Sequence, residues 1–249
     1  MVVQKPCLHI EQAGFGFMAK GKPVEVLRAV NAAFYPGQLT GMVGVNGAGK
    51  STLIRSISGL QEVLSGRVLI SDLELKDLSF SDLAKHISIV LTERPEGFNL
   101  NAFDLVAAGQ MPYTNAFHQL KEEHLKTIQE AIEQCGLKGH EHKLLYELSD
   151  GLFQKAIVAK ALAQGTPLMA LDEPTAFLDY ASKHELFILL KQLCETKQKC
   201  VLVSSHDLDL LLRYCDSILL VYQGKAELLS VEKAKEHPAF KAIGGKYLP

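Results

Sequence analysis

The sequence predicts an α/β fold with a mainly parallel sheet, a small antiparallel β sub-domain and a helical insert. Three observations predict it. Apolar runs of strand length alternate with helical patterns through the last third of the chain, as strands joined by crossover helices do. A glycine-rich turn, Gly44-Val45-Asn46-Gly47-Ala48-Gly49-Lys50-Ser51-Thr52, lies between an apolar strand-like run and a helix-like run. Between these regions, from Thr92 to Leu148, the composition changes to helical segments punctuated by Pro and Gly. The 249 residues suit one large domain in three stretches: 1–91 with the first part of the core and the β sub-domain, 92–165 with the helical insert and the helix that closes it, and 166–249 with the second part of the core.

Taken in order, Leu8, Ile10, Phe15 and Phe17 have alternate spacing before Lys20-Gly21-Lys22-Pro23, which reads as a strand ending in a turn. Pro36-Gly37 is a second turn, and Leu39 to Val43 reads as a buried strand. From Lys50 the pattern turns helical, with Leu53, Ile54 and Ile57 on one face and Gly59 past the end. Arg67 to Ile70 and Leu73 to Leu75 suit an antiparallel flap, and Leu83 to Leu91 reads as a helix end and a strand. In the insert, the helix Lys121 to Cys135 places Leu125, Ile128, Ile132 and Cys135 on one face. Ser149 is a good N-cap for a helix Leu152 to Gln164, which Gly165 and Pro167 end. Strand Leu168 to Leu171, helix Ser182 to Cys194, strand Val201 to Ser204, helix Leu208 to Tyr214 and strand Ile218 to Tyr222 follow, and Gln223-Gly224-Lys225 turns into a last short strand.

Composition narrows the function. Twenty-six Lys and Arg against 28 Asp and Glu give a net charge of −2, which offers no general field for a nucleic-acid backbone, so no nucleic-acid partner is expected. The start of the chain has no apolar run of signal-peptide length, and the later apolar stretches are broken by Asp207, Asp209, Arg213 and Asp216, so no membrane span is expected. Five cysteines, odd in number and without C-x-x-C spacing, read as free thiols in a reducing cytoplasm. His140-Glu141-His142 reads as a solvated loop, because alternate residues in a polar loop seldom converge on one metal ion.

The stretch Gly44 to Thr52 fits G-x-x-x-x-G-K-[ST] and reads as a phosphate cradle. Its glycines let successive N–H groups point inward at polyphosphate oxygens, where the positive end of the following helix adds its field. Lys50 supplies a point charge, Ser51 a hydroxyl for a Mg²⁺ bridging the β- and γ-phosphates, and Thr52 a contact nearer the base. Phe17 is either a core aromatic or a ring placed to stack on the base. The second half of such a site is the apolar run that ends in Asp172-Glu173: one carboxylate reaches Mg²⁺ and the next polarises an attacking water. Together they imply hydrolysis of a nucleoside triphosphate.

With these motifs in place, the chain from about Leu8 to about Leu229 resembles the ATP-binding subunit of ABC transporters. Leu148-Ser149-Asp150-Gly151-Leu152 is similar to that family's signature, normally Leu-Ser-Gly-Gly-Gln. The fold implied is a P-loop NTPase core. The resemblance further implies ATP and Mg²⁺ as ligands and a homodimer in which Ser149 and Gly151 close on the γ-phosphate of ATP held by the other subunit. It makes Phe17 the base-stacking ring, Gly44, Asn46, Gly47, Ala48 and Gly49 the cradle, and Asp179 part of the loop that communicates across the dimer. It also makes His206 a γ-phosphate contact, Glu173 the general base, and Ser51 with Asp172 the Mg²⁺ holders.

Two departures from the family stand out. The loop position that normally holds a Mg²⁺-contacting Gln is Thr92, whose shorter hydroxyl would act through water unless Glu93 turns inward. The signature carries Asp150 for the first Gly and Leu152 for Gln. Within the family, Asn101 to Tyr113 is similar to the segment Val-x-x-Gly-Arg-x-Pro-Tyr of importers for iron-siderophore, haem and cobalamin complexes, with Gln110 for Arg. The resemblance thus implies a peripheral subunit at the cytoplasmic face of the membrane, docked on integral membrane permease subunits and making no contact with the transported substrate. An exporter ATPase and a soluble ABC-type regulatory factor are the alternatives.

Overall fold

The computed structural model describes residues 4–91, 99–115, 117 and 119–244. The chain opens with a hairpin, β1 (Leu8–Ala19) and β2 (Lys22–Phe34), turned by Lys20 and Gly21, both with positive φ, which is the backbone that matches strand twist in a two-residue loop. Then come β3 (Leu39–Val43), α1 (Lys50–Ile57), β4 (Val63–Ile70), β5 (Leu73–Glu74), the short α2 (Phe80–Leu83) and β6 (Ile87–Val90). The insert holds α3 (Ala102–Ala107), a 3-10 stretch Ala108–Tyr113, α4 (Glu122–Gln134) and α5 (Asp150–Ala163). The chain returns through β7 (Leu168–Leu171), α6 (Tyr180–Lys197), β8 (Cys200–Ser204), α7 (Leu208–Tyr214), β9 (Ser217–Tyr222) and β10 (Lys225–Ser230), and ends in α8 (Val231–Glu236) and α9 (Pro238–Gly244).

The strand order is β5-β4-β1-β2-β10-β9-β3-β8-β7-β6. From β9 to β6 neighbouring strands pair in parallel, whereas β5, β4, β1 and β2 pair antiparallel. This is the parallel core with an antiparallel flap that the sequence predicts. The flap meets the core where β2 runs parallel to β10, with Asn31 paired to Glu227 and the Arg28 N–H donating to the Gly224 carbonyl at 2.8 Å.

Strand alternation divides the interior in two. Met169 and Leu171 of β7 and Val201 and Val203 of β8 face a core completed by the insert helices, α6 and α7. Leu168 and Ala170, and Cys200 and Leu202, face a second core completed by the flap and α1. Strands buried on both faces read as continuous apolar runs, which is why β3, β7 and β8 are legible in the sequence.

Several boundaries differ from expectation. The strand β2 does not show in the sequence pattern, because a bulge near Ala29 (φ 48°) shifts its register between Leu27 and Val30 and breaks the alternation. Helix α5 begins at Asp150 rather than Leu152, directly after its Ser149 cap, and α6 runs from Tyr180 to Lys197. In α4 the buried face is His124, Ile128, Ala131 and Ile132, while Leu125 is exposed. Among the described residues no helix is long and apolar enough to cross a membrane, and no group of His, Cys, Asp and Glu could hold a metal ion by themselves.

The 3-10 stretch after α3 is clasped to the end of α5. Gln110 is buried and donates through Nε2 to the Ala163 carbonyl, while the Tyr113 hydroxyl donates to the Gln164 carbonyl at 2.9 Å. Gln164 in turn donates to the Ala84 and Ile87 carbonyls at 2.6 and 3.1 Å, which ties the insert to the start of β6. Gly109 permits the approach, since a Cβ there would overlap the Lys160 carbonyl oxygen. The Gly-Gln-x-Pro-Tyr run is therefore a packing device in this chain. Replacing Gly109 with Ala should lower stability by about 1–3 kcal/mol through overpacking against backbone that has little freedom to move. Urea unfolding of the two proteins checks it.

Candidate active site

Parallel pairing assembles the site. β3 lies beside β8 and β8 beside β7, with Met42 opposite Ser204 and Leu171 opposite Val203, so the three strands end at one edge of the sheet. The loops leaving that edge carry Gly44 to Gly49, Asp172-Glu173 and Ser205-His206. Carboxyl ends of parallel strands are where such sheets place ligands.

The first loop needs its glycines. Gly47 and Gly49 have φ of 77° and 113°, and a Cβ on Gly49 would lie 2.9 Å from Val26 Cγ1. Asn46 and Gly47 are exposed and Ala48 half-buried at the mouth of the turn. Helix α1 then starts at Lys50 with no side-chain cap and no acidic residue in its first turn, which leaves its positive end to an anion. Ser51 is exposed and Thr52 half-buried on that turn.

Lys50 is 5% exposed, and its Nζ donates to the Gly44 carbonyl at 2.9 Å and lies 3.7 Å from Glu173 Oε1. Burial pushes its pKa down, opposed by the attraction of Glu173 and Asp172. The same Glu173 oxygen is 2.7 Å from His206 Nε2, so one carboxylate bridges the lysine and the histidine. Glu173 has φ of 48°, a left-handed backbone that turns its side chain off the end of β7. Asp172 is buried and accepts a hydrogen bond from Ser204 Oγ at 2.7 Å, and that Oγ accepts one from the Glu173 N–H at 2.8 Å.

The donor chemistry fits a hard cation. Ser51 offers a hydroxyl and Asp172 a carboxylate already oriented by Ser204, the oxygen types that Mg²⁺ takes alongside phosphate and water. Thr92, expected at the same metal, and Glu93 lie outside the described residues. Phe17 is 46% exposed near the end of β1, in register with Val24.

Ser149, Gly151 and Asp179 form a separate neighbourhood. Ser149 caps α5, accepting from the Leu152 N–H at 3.3 Å. Gly151 packs against the start of α6, where a Cβ would sit 3.1 Å from Ser182 Oγ. Asp179 caps α6 by accepting from the Ser182 N–H at 2.9 Å and the Ser182 hydroxyl at 3.0 Å, bonds that hold its pKa below the usual carboxylate value. Among the hydrogen bonds and ion pairs of the described residues, none joins these three to Lys50, Glu173 or His206.

Sequence reasoning missed the serines before His206. Besides the bonds of Ser204, Ser205 Oγ lies 3.4 Å from Thr175 Oγ1 and accepts from the Asp207 N–H at 3.0 Å. The available signal was two hydroxyls closing an apolar strand, since buried polar side chains require partners.

Residues 27–176 match the family model described as ABC transporter. The chain is 38% identical over 200 residues to an uncharacterized ABC transporter ATP-binding protein of Methanocaldococcus jannaschii, covering 80% of this chain and 69% of that one. It is 32% identical over 219 residues to the iron(3+)-hydroxamate import ATP-binding protein FhuC of Bacillus subtilis, covering 87% of this chain and 79% of that one. Among solved structures it superposes on a dimeric bacterial ABC transporter cassette with a TM-score of 0.78 at 25% identity, covering 90% of this chain and 98% of that one. A cradle, a carboxylate pair and a histidine at one sheet edge, in a fold shared with such cassettes, leave one assignment: the chain belongs to the ABC transporter family as an ATP-binding, ATP-hydrolysing subunit.

Proposed function

We propose that this chain powers an importer for an iron-siderophore, haem or cobalamin complex, working as a homodimer at the cytoplasmic face of the membrane against integral permease subunits. The observation that carries the hydrolytic part is Glu173 held between Lys50 and His206. The importer part is supported by 32% identity to an iron-hydroxamate import protein and by the Asn101 to Tyr113 segment.

Triphosphate enters over Gly44 to Gly49, with Phe17 stacked on the base. Lys50 exchanges the Gly44 carbonyl and Glu173 for β- and γ-phosphate oxygens, and His206 turns to the γ-phosphate. Glu173, freed of both, accepts a proton from the water that attacks the γ-phosphorus; the P–O bond to the β-phosphate breaks and ADP keeps the electron pair. Ser51 and Asp172 would hold Mg²⁺, which when bound neutralises charge on the β- and γ-oxygens. The separate position of Ser149, Gly151 and Asp179 suits action across a dimer, where Ser149 and Gly151 meet the triphosphate of the partner subunit. Closure on ATP and opening after hydrolysis then give permease subunits two states to follow.

Glu173→Gln should keep ATP binding and lose turnover by about 10²–10⁴-fold, the worth of a positioned general base. Steady-state hydrolysis and equilibrium binding on one preparation measure both, and a rate near that of the unmutated protein excludes the role.

Ser149→Arg should abolish hydrolysis while leaving the nucleotide affinity of the isolated subunit unchanged. Lys50→Ala should weaken binding by about 1.5–3 kcal/mol through loss of a charge-assisted contact. Titration of a fluorescent ATP analogue separates them: equal loss of affinity in the two variants would place both residues in one site on one chain. Co-purification from membranes separates an importer subunit, which brings permease subunits with it, from a soluble regulatory factor, which brings none.

A further inference from the structure

We propose that Ser204 is a positioning residue for hydrolysis, its hydroxyl locking Asp172 and Glu173 into one rigid unit that aims both carboxylates. Ser204 is fully buried as the last residue of β8. A serine hydroxyl has one proton and two lone pairs. Here the proton goes to Asp172 Oδ1 at 2.7 Å and a lone pair takes the Glu173 N–H at 2.8 Å. Two consecutive residues of β7's end are thereby fixed to one atom of the neighbouring strand.

The need for such a lock lies in Glu173. Its φ of 48° places a non-glycine residue in left-handed backbone, which persists only where the surroundings hold it. The bond to Ser204 holds the amide at that turn, so the carboxylate swings toward Lys50 and His206 rather than following the strand outward. Ser205 does not substitute, because its hydroxyl is engaged with Thr175 and the Asp207 N–H. A hydroxyl can donate to a carboxylate and accept from an amide at once; a methyl group does neither.

The inference rests on the reading of Glu173 as general base and Asp172 as metal holder, and the test keeps the two apart. Ser204→Ala, Glu173→Gln and the double variant are compared by single-turnover hydrolysis at saturating Mg²⁺, with thermal unfolding as a check on the fold. Ser204→Ala should lose about 10–100-fold in rate, the usual effect of removing a partner that orients a ligating group. Its affinity for ATP in EDTA should be unchanged, while the Mg²⁺ needed to tighten a non-hydrolysable ATP analogue rises about tenfold. Ser204→Thr, which keeps the hydroxyl, should restore both. In the Glu173→Gln background Ser204→Ala should add almost nothing to the rate loss, because the carboxylate it aims is gone.

A folded Ser204→Ala protein with the unmutated rate, or losses that multiply in the double variant, overturns the role of Ser204 alone. A Glu173→Gln protein that turns over normally refutes the reading of Glu173, and the proposal falls with it. If Ser204→Ala does not fold, Ser204→Cys, close in volume and a weak hydrogen-bonding group, carries the same expectations and the same refutations.

Discussion

The register in which β3, β8 and β7 pair is the constraint on which the site depends. It brings Lys50, Glu173 and His206 within contact although long stretches of chain, including the whole insert, separate them in sequence. Because side chains alternate across a strand, a slip of one residue would exchange the two faces of β8 and carry Ser204 away from Asp172. The apolar content of both faces resists that slip: Val201 and Val203 are buried in one core, Cys200 and Leu202 in the other. Hydrophobic packing on two sides thus fixes a polar geometry at the strand ends.

Much of this is legible in the sequence because it rests on local chemistry. The spacing from Gly44 to Thr52 states a backbone conformation and a charge, and Leu168 to Leu171 followed by Asp172-Glu173 states a buried strand with acids at its exit. What escapes the sequence is what depends on neighbours distant along the chain. Ser204 looks like any strand serine until β7 is placed beside it. β2 hides because its bulge at Ala29 interrupts the period by which strands are recognised. Leu125 satisfies the spacing of the apolar face of α4, yet His124 takes the buried place beside it, its Nδ1 accepting the Lys121 N–H at 3.1 Å.

The insert shows how a motif can hold two kinds of information. Gly109, Gln110 and Tyr113 belong to the segment whose sequence is similar to that of certain importers, and in the folded chain they act as a clasp on the end of α5, Gln110 and Tyr113 donating to the Ala163 and Gln164 carbonyls. Through Gln164 that clasp also grips the segment leading into β6. The end of the helix that Ser149 starts is therefore mechanically continuous with the strand that leads toward residue 92.

All five cysteines are buried. Burial pushes the thiols of Cys135 and Cys194 up to about 12 and that of Cys215 upward as well, and Cys7, drawn down by its bond with Cys200, is itself enclosed. Since the thiolate is the species that reacts, burial and raised pKa values disfavour reaction of Cys135, Cys194 and Cys215 with alkylating reagents and peroxide. A cysteine introduced on the surface should react faster than these buried thiols. A pair of spectroscopic labels on introduced surface cysteines can accordingly be set against buried native thiols to test the proposed pairing of two subunits.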